Sequence, residues 1–429
     1  MKNTSEMTLG RKMAAIRNEL KMTQKDLFVA TGTSISLIGQ YENNKYAVSP
    51  DVFKKFKKEL KLEDIPLSDD EVAVFKKEQL NAWNFMINFG DIKKATELKP
   101  KLAYRVKWSH DADLRNLFDL YSINYNCMIG EKEEAGRLAK GLKKREQSFT
   151  DEHLYWYYRY LGTLEHWSWR YKAAVALYMK AEEIGNRLGL NDIIINYNIG
   201  NCFTHMGYPI LAIEYLDKAQ LKDFDSFGMK YVFPLQKLIA LNYSKIGKVD
   251  KAIDLINKYL EYIKKESEND KLRLGVIYLA LGDVYQNAGD FEKALKNFEI
   301  ASKNFDEEDE IYLECLCYKS SLLRTNNRND EVKECLAKGL PMVAEGTLWY
   351  EWLYAIKHSL TLGEESSLMY MEWTAIPMLH KYGKHTVVME CCDWLGRHFI
   401  ENRKYNPAWE YTSRARTIYR KLMEGDLSL

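Results

Sequence analysis

Proline is scarce in this chain, with 8 in 429 residues. Proline breaks helix interiors, so its rarity leaves room for long uninterrupted helices. No stretch alternates polar and apolar residues, which argues against a half-buried sheet as the main element. No apolar run reaches the roughly 18 residues a membrane helix needs, and the opening MKNTSEMTLG has no apolar core. Neither a membrane partner nor a secretory leader is expected. The 7 cysteines, Cys127, Cys202, Cys315, Cys317, Cys335, Cys391 and Cys392, are odd in number. They lack CxxC spacing and partnering histidines, which argues against a zinc site. Reduced, buried thiols in a cytoplasmic protein are the expectation. P-loop, HExxH and GxSxG sequences are missing too, so no enzyme, metal or cofactor is expected.

What the chain does have is 46% hydrophobic and 29% charged residues, spread over long Ala/Leu/Lys/Glu-rich runs. That composition points to an all-helical globular protein of two or three domains. The net charge is +1, but the first 66 residues carry 12 Lys/Arg against 8 Asp/Glu. A basic end on a slightly acidic body fits a small nucleic-acid-binding head.

The head reads as four helices. LGRKMAAIRNELK places Met13, Ile16 and Leu20 at helical spacing. Thr23 caps a second helix, with Asp26 three residues on. Gly32 supplies the turn, where a backbone without Cβ is cheap. SISLIGQYE makes the third helix, with Leu37 and Ile38 turned inward. Asn43-Asn44 allows a left-handed backbone after it, and Ser49-Pro50 opens a fourth helix with Phe53, Phe56 and Leu60 as its buried stripe. Residues Thr23-Gln24, Leu27, Gly32, Ser36, Ile38, Glu42, Asn43 and Lys45 give this layout, over about residues 8 to 66, a resemblance to the helix-turn-helix domain of the XRE/Cro/phage-repressor family. The resemblance implies that the third helix enters the major groove of a double-stranded DNA operator. Ser34, Ile35, Ser36 and Gln40 would then read base edges. Gln24, Asn43 and Lys45 would meet phosphates. Such heads act as dimers on paired half-sites.

LSDDEVAVFKKEQLNA, residues 67–82, reads as a linker helix with Ser68 and Glu71 as a capping box. Beyond it the chain repeats. IGNCFTHMGYPILAIEYLDKA from Ile199, LGDVYQNAGDFEKALKNFEIA from Leu281 and LGRHFIENRKYNPAWEYTSRA from Leu395 share one template. A small residue (Gly200, Gly282, Gly396) is followed twelve residues on by alanine (Ala212, Ala294, Ala408). Gly162 with Ala174 and Ala240 with Ala252 repeat it. Weaker copies centre on Trp83, Ile123, Ser320 and His358. The spacing stays near 40, a solenoid signal of two helices per unit. The small residues would let paired helices approach closely. The pattern resembles tetratricopeptide (TPR) repeats. The expected fold is therefore all-α: a helix-turn-helix domain over 1–66, the linker over 67–82, and a right-handed TPR superhelix of about nine repeats over 83–429.

The concave face of such a superhelix is lined by the first helix of each pair and holds extended peptides. Asparagine suits this, because its carboxamide offers a donor and an acceptor to one peptide unit. Tyr197, Asn198, Asn201 and Thr204 lie on the inward side of their helix. Asn124, Arg159, Thr163, His166, Lys237, Asn242, Asp283, Gln286 and Arg324 take equivalent slots. The mixture of asparagine and both charge signs suits a short peptide with ionisable ends. The aromatic run YWYYRYLGTLEHWSWRY, residues 155–171, is expected to pack core or a dimer interface, and Trp394 with Trp409 a dimer contact.

An XRE-type head, a helical linker and about nine TPR-like repeats together resemble the Rap/Rgg/NprR/PlcR group of peptide-sensing proteins, and in length and repeat number NprR-type regulators most. Tyr197-Asn198-Ile199-Gly200 matches a YNIG motif of Rap-type relatives, in which the asparagine contacts the peptide main chain. The resemblance implies a cytoplasmic quorum-sensing regulator. A short imported peptide in the groove would alter a homo-oligomer, dimer or tetramer, and so control DNA binding. Two alternatives stay open: an adaptor that binds or inhibits a response regulator, as Rap proteins do in phosphorelays, and a mobile-element regulator of the lysis–lysogeny type.

Overall fold

A computed structural model describes residues 7–190, 192–220, 229–266 and 270–429, which are helical with no strand among them. The chain divides into two compact units. One comprises Met1–Trp167 with Glu183–Leu188, and the other Ser168–Glu182 with Gly189–Leu429.

The first unit opens with α1 (Leu9–Glu19), α2 (Gln24–Thr31), α3 (Ile35–Glu42) and α4 (Pro50–Glu59). Local chemistry sets each boundary. Thr23 and Asp26 form the expected capping box, and Gly32 ends α2 in the left-handed region at φ 69°. Ser34 caps α3, and Asn44 turns the chain after it at φ 57°. Ser49 caps α4, with Pro50 at its first position. The core holds Met13, Ile16, Leu27, Ile38 and Phe56, closed below by Leu62, Ile65 and Leu67. Leu20 lies outside it, 40% exposed, because α1 has already ended at Glu19. The linker is α5 (Asp69–Phe75), a π-helical turn (Lys76–Leu80) and α6 (Asn81–Asn88), one continuous helical run opened by the Ser68–Glu71 capping box.

Pairs follow along the chain. In the first unit α5–α6 is joined by α7 (Ile92–Ser109), then α8 (Ala112–Met128) by α9 (Lys132–Lys143). Helices α10 (Asp151–Trp167) and α11 (Tyr171–Arg187) come next. The second unit continues with α12 (Ile193–Met206) and α13 (Pro209–Lys218), α14 (Met229–Lys245) and α15 (Val249–Glu266), and α16 (Lys271–Asn287) and α17 (Phe291–Ser302). Then come α18 (Glu310–Thr325) and α19 (Asn329–Gly339), α20 (Leu348–Ser359) with α21 (Glu365–Tyr370) and α22 (Ile376–Lys381), and α23 (His385–Glu401) with α24 (Tyr405–Glu424). Among the described residues the two units thus contain eight packed helix pairs, apart from α10 and α11.

The sequence template explains how the pairs close. A methyl at Gly200 would lie 3.2 Å from the Ala212 carbonyl oxygen and 2.7 Å from Leu216. Of the weaker anchors, Trp83, Ile123 and Ser320 are fully buried, as is Ala240, whereas His358 is only half-buried. The aromatic run packs core: Tyr155, Tyr157 and Tyr160 are buried, and Trp156 stacks on Tyr160 at 5.5 Å. Trp394 is buried while Trp409 is 70% exposed. Only Trp409 is therefore open to a partner, because Trp394 turns inward. All seven cysteines are free and buried.

Within the second unit the last pair returns to the first. The Tyr208 hydroxyl donates to the Asp426 carbonyl at 3.1 Å, and its ring meets His385 edge-on at 5.8 Å. The Trp169 and Trp349 indoles both donate to Glu310, at 2.7 and 3.0 Å. This unit therefore encloses its own inner face. No described helix is long and apolar enough to cross a membrane.

Candidate DNA and peptide sites

The candidate DNA surface is α3 and its two ends. Ile35 is 44% exposed, Ser36 and Lys45 are exposed, and Gln40 is half-buried. Ser34 accepts from the Leu37 amide, and the Asn43 side chain donates to the Gly39 carbonyl at 2.7 Å, so both termini of α3 are tied down. The Gln24 amide donates to Glu42 at 2.9 Å. Sequence reasoning missed what holds α3 in place. Arg17 of α1 grips Glu42 with two nitrogens, at 2.6 and 3.0 Å. Gly10 of α1 lies so close to α3 that a Cβ there would stand 2.0 Å from the Tyr41 carbonyl oxygen. The head is also anchored to the repeat that follows it. Lys12, 2% exposed, reaches Asp111 at 3.1 Å and the Leu67 carbonyl at 3.0 Å. Asp111 in turn caps α8, and Trp108 of α7 packs on the head's core.

In the first unit the predicted groove residues Asn124 and Arg159 meet at one acceptor. Both donate to the Asn88 side-chain oxygen Oδ1, at 3.1 and 3.2 Å. Asn88 donates on to Asn84, and the Tyr160 hydroxyl donates to Asn84 as well. Arg159 is 3% exposed and lies against the Trp156 and Tyr160 rings. His166 lies half-buried near the end of α10, its pKa pushed down to about 4 by burial.

In the second unit Tyr197, Asn198 and Asn201 are half-buried on α12. Burial pushes the Tyr197 phenol up to about 12. Asn198 makes no side-chain hydrogen bond to another described residue. Asn242 is fully buried and donates to Thr204 at 2.6 Å, a bond that ties α14 to α12. Lys245 donates to the Thr204 carbonyl at 3.2 Å. Arg324 binds Ser359 through two nitrogens at 2.9 Å, closing the end of α20, beside the like charge of Arg397. Gln286 lines a cavity of about 470 Å³ together with Glu390, Asp393, Trp394 and Arg397.

Lys237 and Asp283 belong to a larger group that sequence reasoning did not assemble. Lys237 and Lys245 of α14, Asp283 of α16, Glu314 of α18, and Lys384 and Glu390 at or on α23 all face the enclosed interior. Burial lowers the three lysines, with opposing help from Glu314 or Asp283. Burial raises Asp283 and Glu314, and pushes Glu390 up to about 7. Among the described residues none of the six has an opposite charge within 4.0 Å. Enclosed charges of both signs kept apart are costly to a fold on its own, because neither desolvation nor attraction is recovered. Such an interior is complementary to a ligand that carries both signs.

A helix-turn-helix family model matches residues 13–63. NprA of Geobacillus stearothermophilus, a transcriptional activator, is 22% identical over 250 residues, 57% of this chain. The chain spans 60% of the length of that activator. A Rap protein complexed with competence and sporulation factor aligns over 83% of this chain and 99% of its own, at TM-score 0.69 and 19% identity. NprR in complex with its cognate peptide NprX covers 80% and 98%, at 0.68 and 19%. The apo quorum sensor NprR from B. thuringiensis covers 82% and 99%, at 0.60 and 20%. Over about four-fifths of the chain the fold is that of the Rap and NprR structures. The chain carries a helix-turn-helix head, held by Arg17–Glu42 and Lys12–Asp111, ahead of TPR-like repeats.

Proposed function

We propose that the chain is a quorum-sensing transcription regulator of the cytoplasm, not an enzyme, whose DNA binding is set by a short imported signalling peptide. Residues 1–66 are the DNA-binding head, 67–82 the linker helix, and 83–429 the repeats that bind peptide and join copies of the chain. Gln24, Ser34, Ile35, Ser36, Gln40, Asn43 and Lys45 contact the operator. Asn198 pairs with the peptide main chain. The ionisable side chains around Lys237 and Asp283 serve its charged groups.

The observation that carries this reading is the set of six interior charges that have no opposite charge within 4.0 Å among the described residues. A dibasic or diacidic ligand would leave half of them uncompensated, whereas a short peptide has an ammonium, a carboxylate and backbone amides. The Rap structure named above is complexed with competence and sporulation factor, one NprR structure holds its cognate peptide NprX, and NprA is a transcriptional activator. The peptide acts by favouring one arrangement of the repeats through its differential affinity.

Calorimetry tests the binding step. Synthetic peptides of five to ten residues, taken from small reading frames beside the gene, are titrated into the purified chain. Micromolar or tighter affinity is expected, weakened by Asn198→Ala. Absence of binding by every such peptide would refute the reading.

A further inference from the structure

Lys384 differs from the other interior charges. It is 2% exposed and sits at the N-terminal end of α23. Its ammonium lies 5.4, 5.6 and 5.8 Å from the ring centres of Trp352, Tyr171 and Trp349. It has no carboxylate within 4.0 Å and no hydrogen bond to another described residue. The three rings stabilise the cation through their faces, and an aromatic face consumes none of the three N–H donors. The donors are therefore kept in reserve in a poorly solvated place.

A lysine serving only the fold would close on a carboxylate. Glu314 is close enough to hold the Lys384 pKa up, yet it too stays beyond ion-pair distance. The opposite end of the site has the complementary shortage. Glu390 Oε2 and Gln286 Oε1 are buried oxygens without a hydrogen-bond donor, and both residues line the 470 Å³ cavity. Glu390 follows Lys384 by six residues along α23, about 9 Å at the rise of an α-helix. The second unit thus has unused donors where α23 begins and unused acceptors further along the same helix, on the cavity lining.

We propose that Lys384, in its cage of Tyr171, Trp349 and Trp352, is the anion-receiving pole of this interior and takes a carboxylate of the bound peptide. The assignment rests on the peptide-sensor reading and fixes the ligand's direction: carboxylate at Lys384, donors toward Gln286 and Glu390. The carboxylate is the peptide's C-terminus or an Asp or Glu side chain.

Affinity selection with mass-spectrometric readout separates these sources. The full-length chain is exposed to four synthetic hexapeptide libraries, with or without Asp and Glu, each as free acid and as C-terminal amide. Carboxylate-bearing libraries should be retained about tenfold to a hundredfold more than the carboxylate-free one, the range of one charge-assisted hydrogen-bonded pair. Preference for the free acid in the library without Asp and Glu assigns the C-terminus. Preference among amides for the library with Asp and Glu assigns a side chain. Lys384→Gln should erase the preference and Lys384→Arg keep part of it. The wild-type comparison decides alone should the glutamine variant unfold. Equal retention of the carboxylate-free library overturns the proposal and leaves the peptide-sensor reading standing. Retention of none of the four overturns both.

Discussion

Replacing Gly10 by alanine should loosen the DNA-binding head, and the structure sets the size of the effect. The added Cβ would stand 2.0 Å from the Tyr41 carbonyl oxygen and 2.7 Å from its carbon. Ordinary carbon–oxygen contact needs more than 1 Å of extra separation. The obstacle is backbone within α3, so no side-chain rotation relieves it. Helices α1 and α3 must move apart, which also strains the Arg17–Glu42 pair at 2.6 Å. Overpacking of this kind costs about 1–3 kcal/mol, and the rigid neighbour puts this site toward the upper end. Gly39→Ala is the internal control. A Cβ there meets only the Gln24 amide nitrogen at 3.7 Å. Removing glycine from an α3 interior position should then stabilise by roughly 0.5–1 kcal/mol. Hydrogen exchange of peptides from residues 9–59 measures both on the intact chain. Gly10→Ala should accelerate exchange by about tenfold or more, and Gly39→Ala should slow it. Equal protection in Gly10→Ala and wild type would refute the packing argument.

Further predictions concern buried charge and buried thiols. Lys12→Met leaves Asp111 buried without its partner and should cost about 3–5 kcal/mol, seen as faster exchange in both α1 and α8. Unchanged exchange there would contradict it. Glu390, raised to about 7 from 4.5, stabilises the second unit fully below about pH 4.5 and loses that contribution as pH rises through 7. Glu390→Gln should therefore raise the melting temperature at pH 8 more than at pH 5. His385 works in the opposite sense. Burial lowers it to about 3, so its contribution is present above pH 6.5 and lost as pH falls toward 3. His385→Phe should flatten the acid limb of stability. The seven buried cysteines should react with a thiol reagent only after denaturation, and prompt labelling of the native chain would contradict their placement.

Much of the head was legible because its signals are local. Thr23 with Asp26, Gly32, Asn44 and Ser49-Pro50 each act within four residues of themselves. The repeats were legible because one steric demand, a small residue where two helices touch, recurs near every fortieth position. Contacts between distant residues were not. Nothing in the sequence around Gly10 announces Tyr41, and Arg17 finds Glu42 across two helices. The interior charges escaped for a related reason. Glu314 and Lys384 come from α18 and the start of α23, and Lys384 sits in the turn before its helix, outside the template used to choose inward positions. Leu20 keeps the spacing of Met13 and Ile16 yet is exposed, because α1 stops at Glu19.

The account stands or falls on coupling between the repeats and the head. Fluorescence anisotropy of a labelled duplex from the gene's own upstream region, with and without a peptide that calorimetry shows to bind, measures it directly. The account predicts that saturating peptide shifts the DNA dissociation constant by about tenfold or more at fixed salt, the scale of a 1–3 kcal/mol coupling. A peptide that binds tightly and leaves DNA affinity unchanged would contradict it.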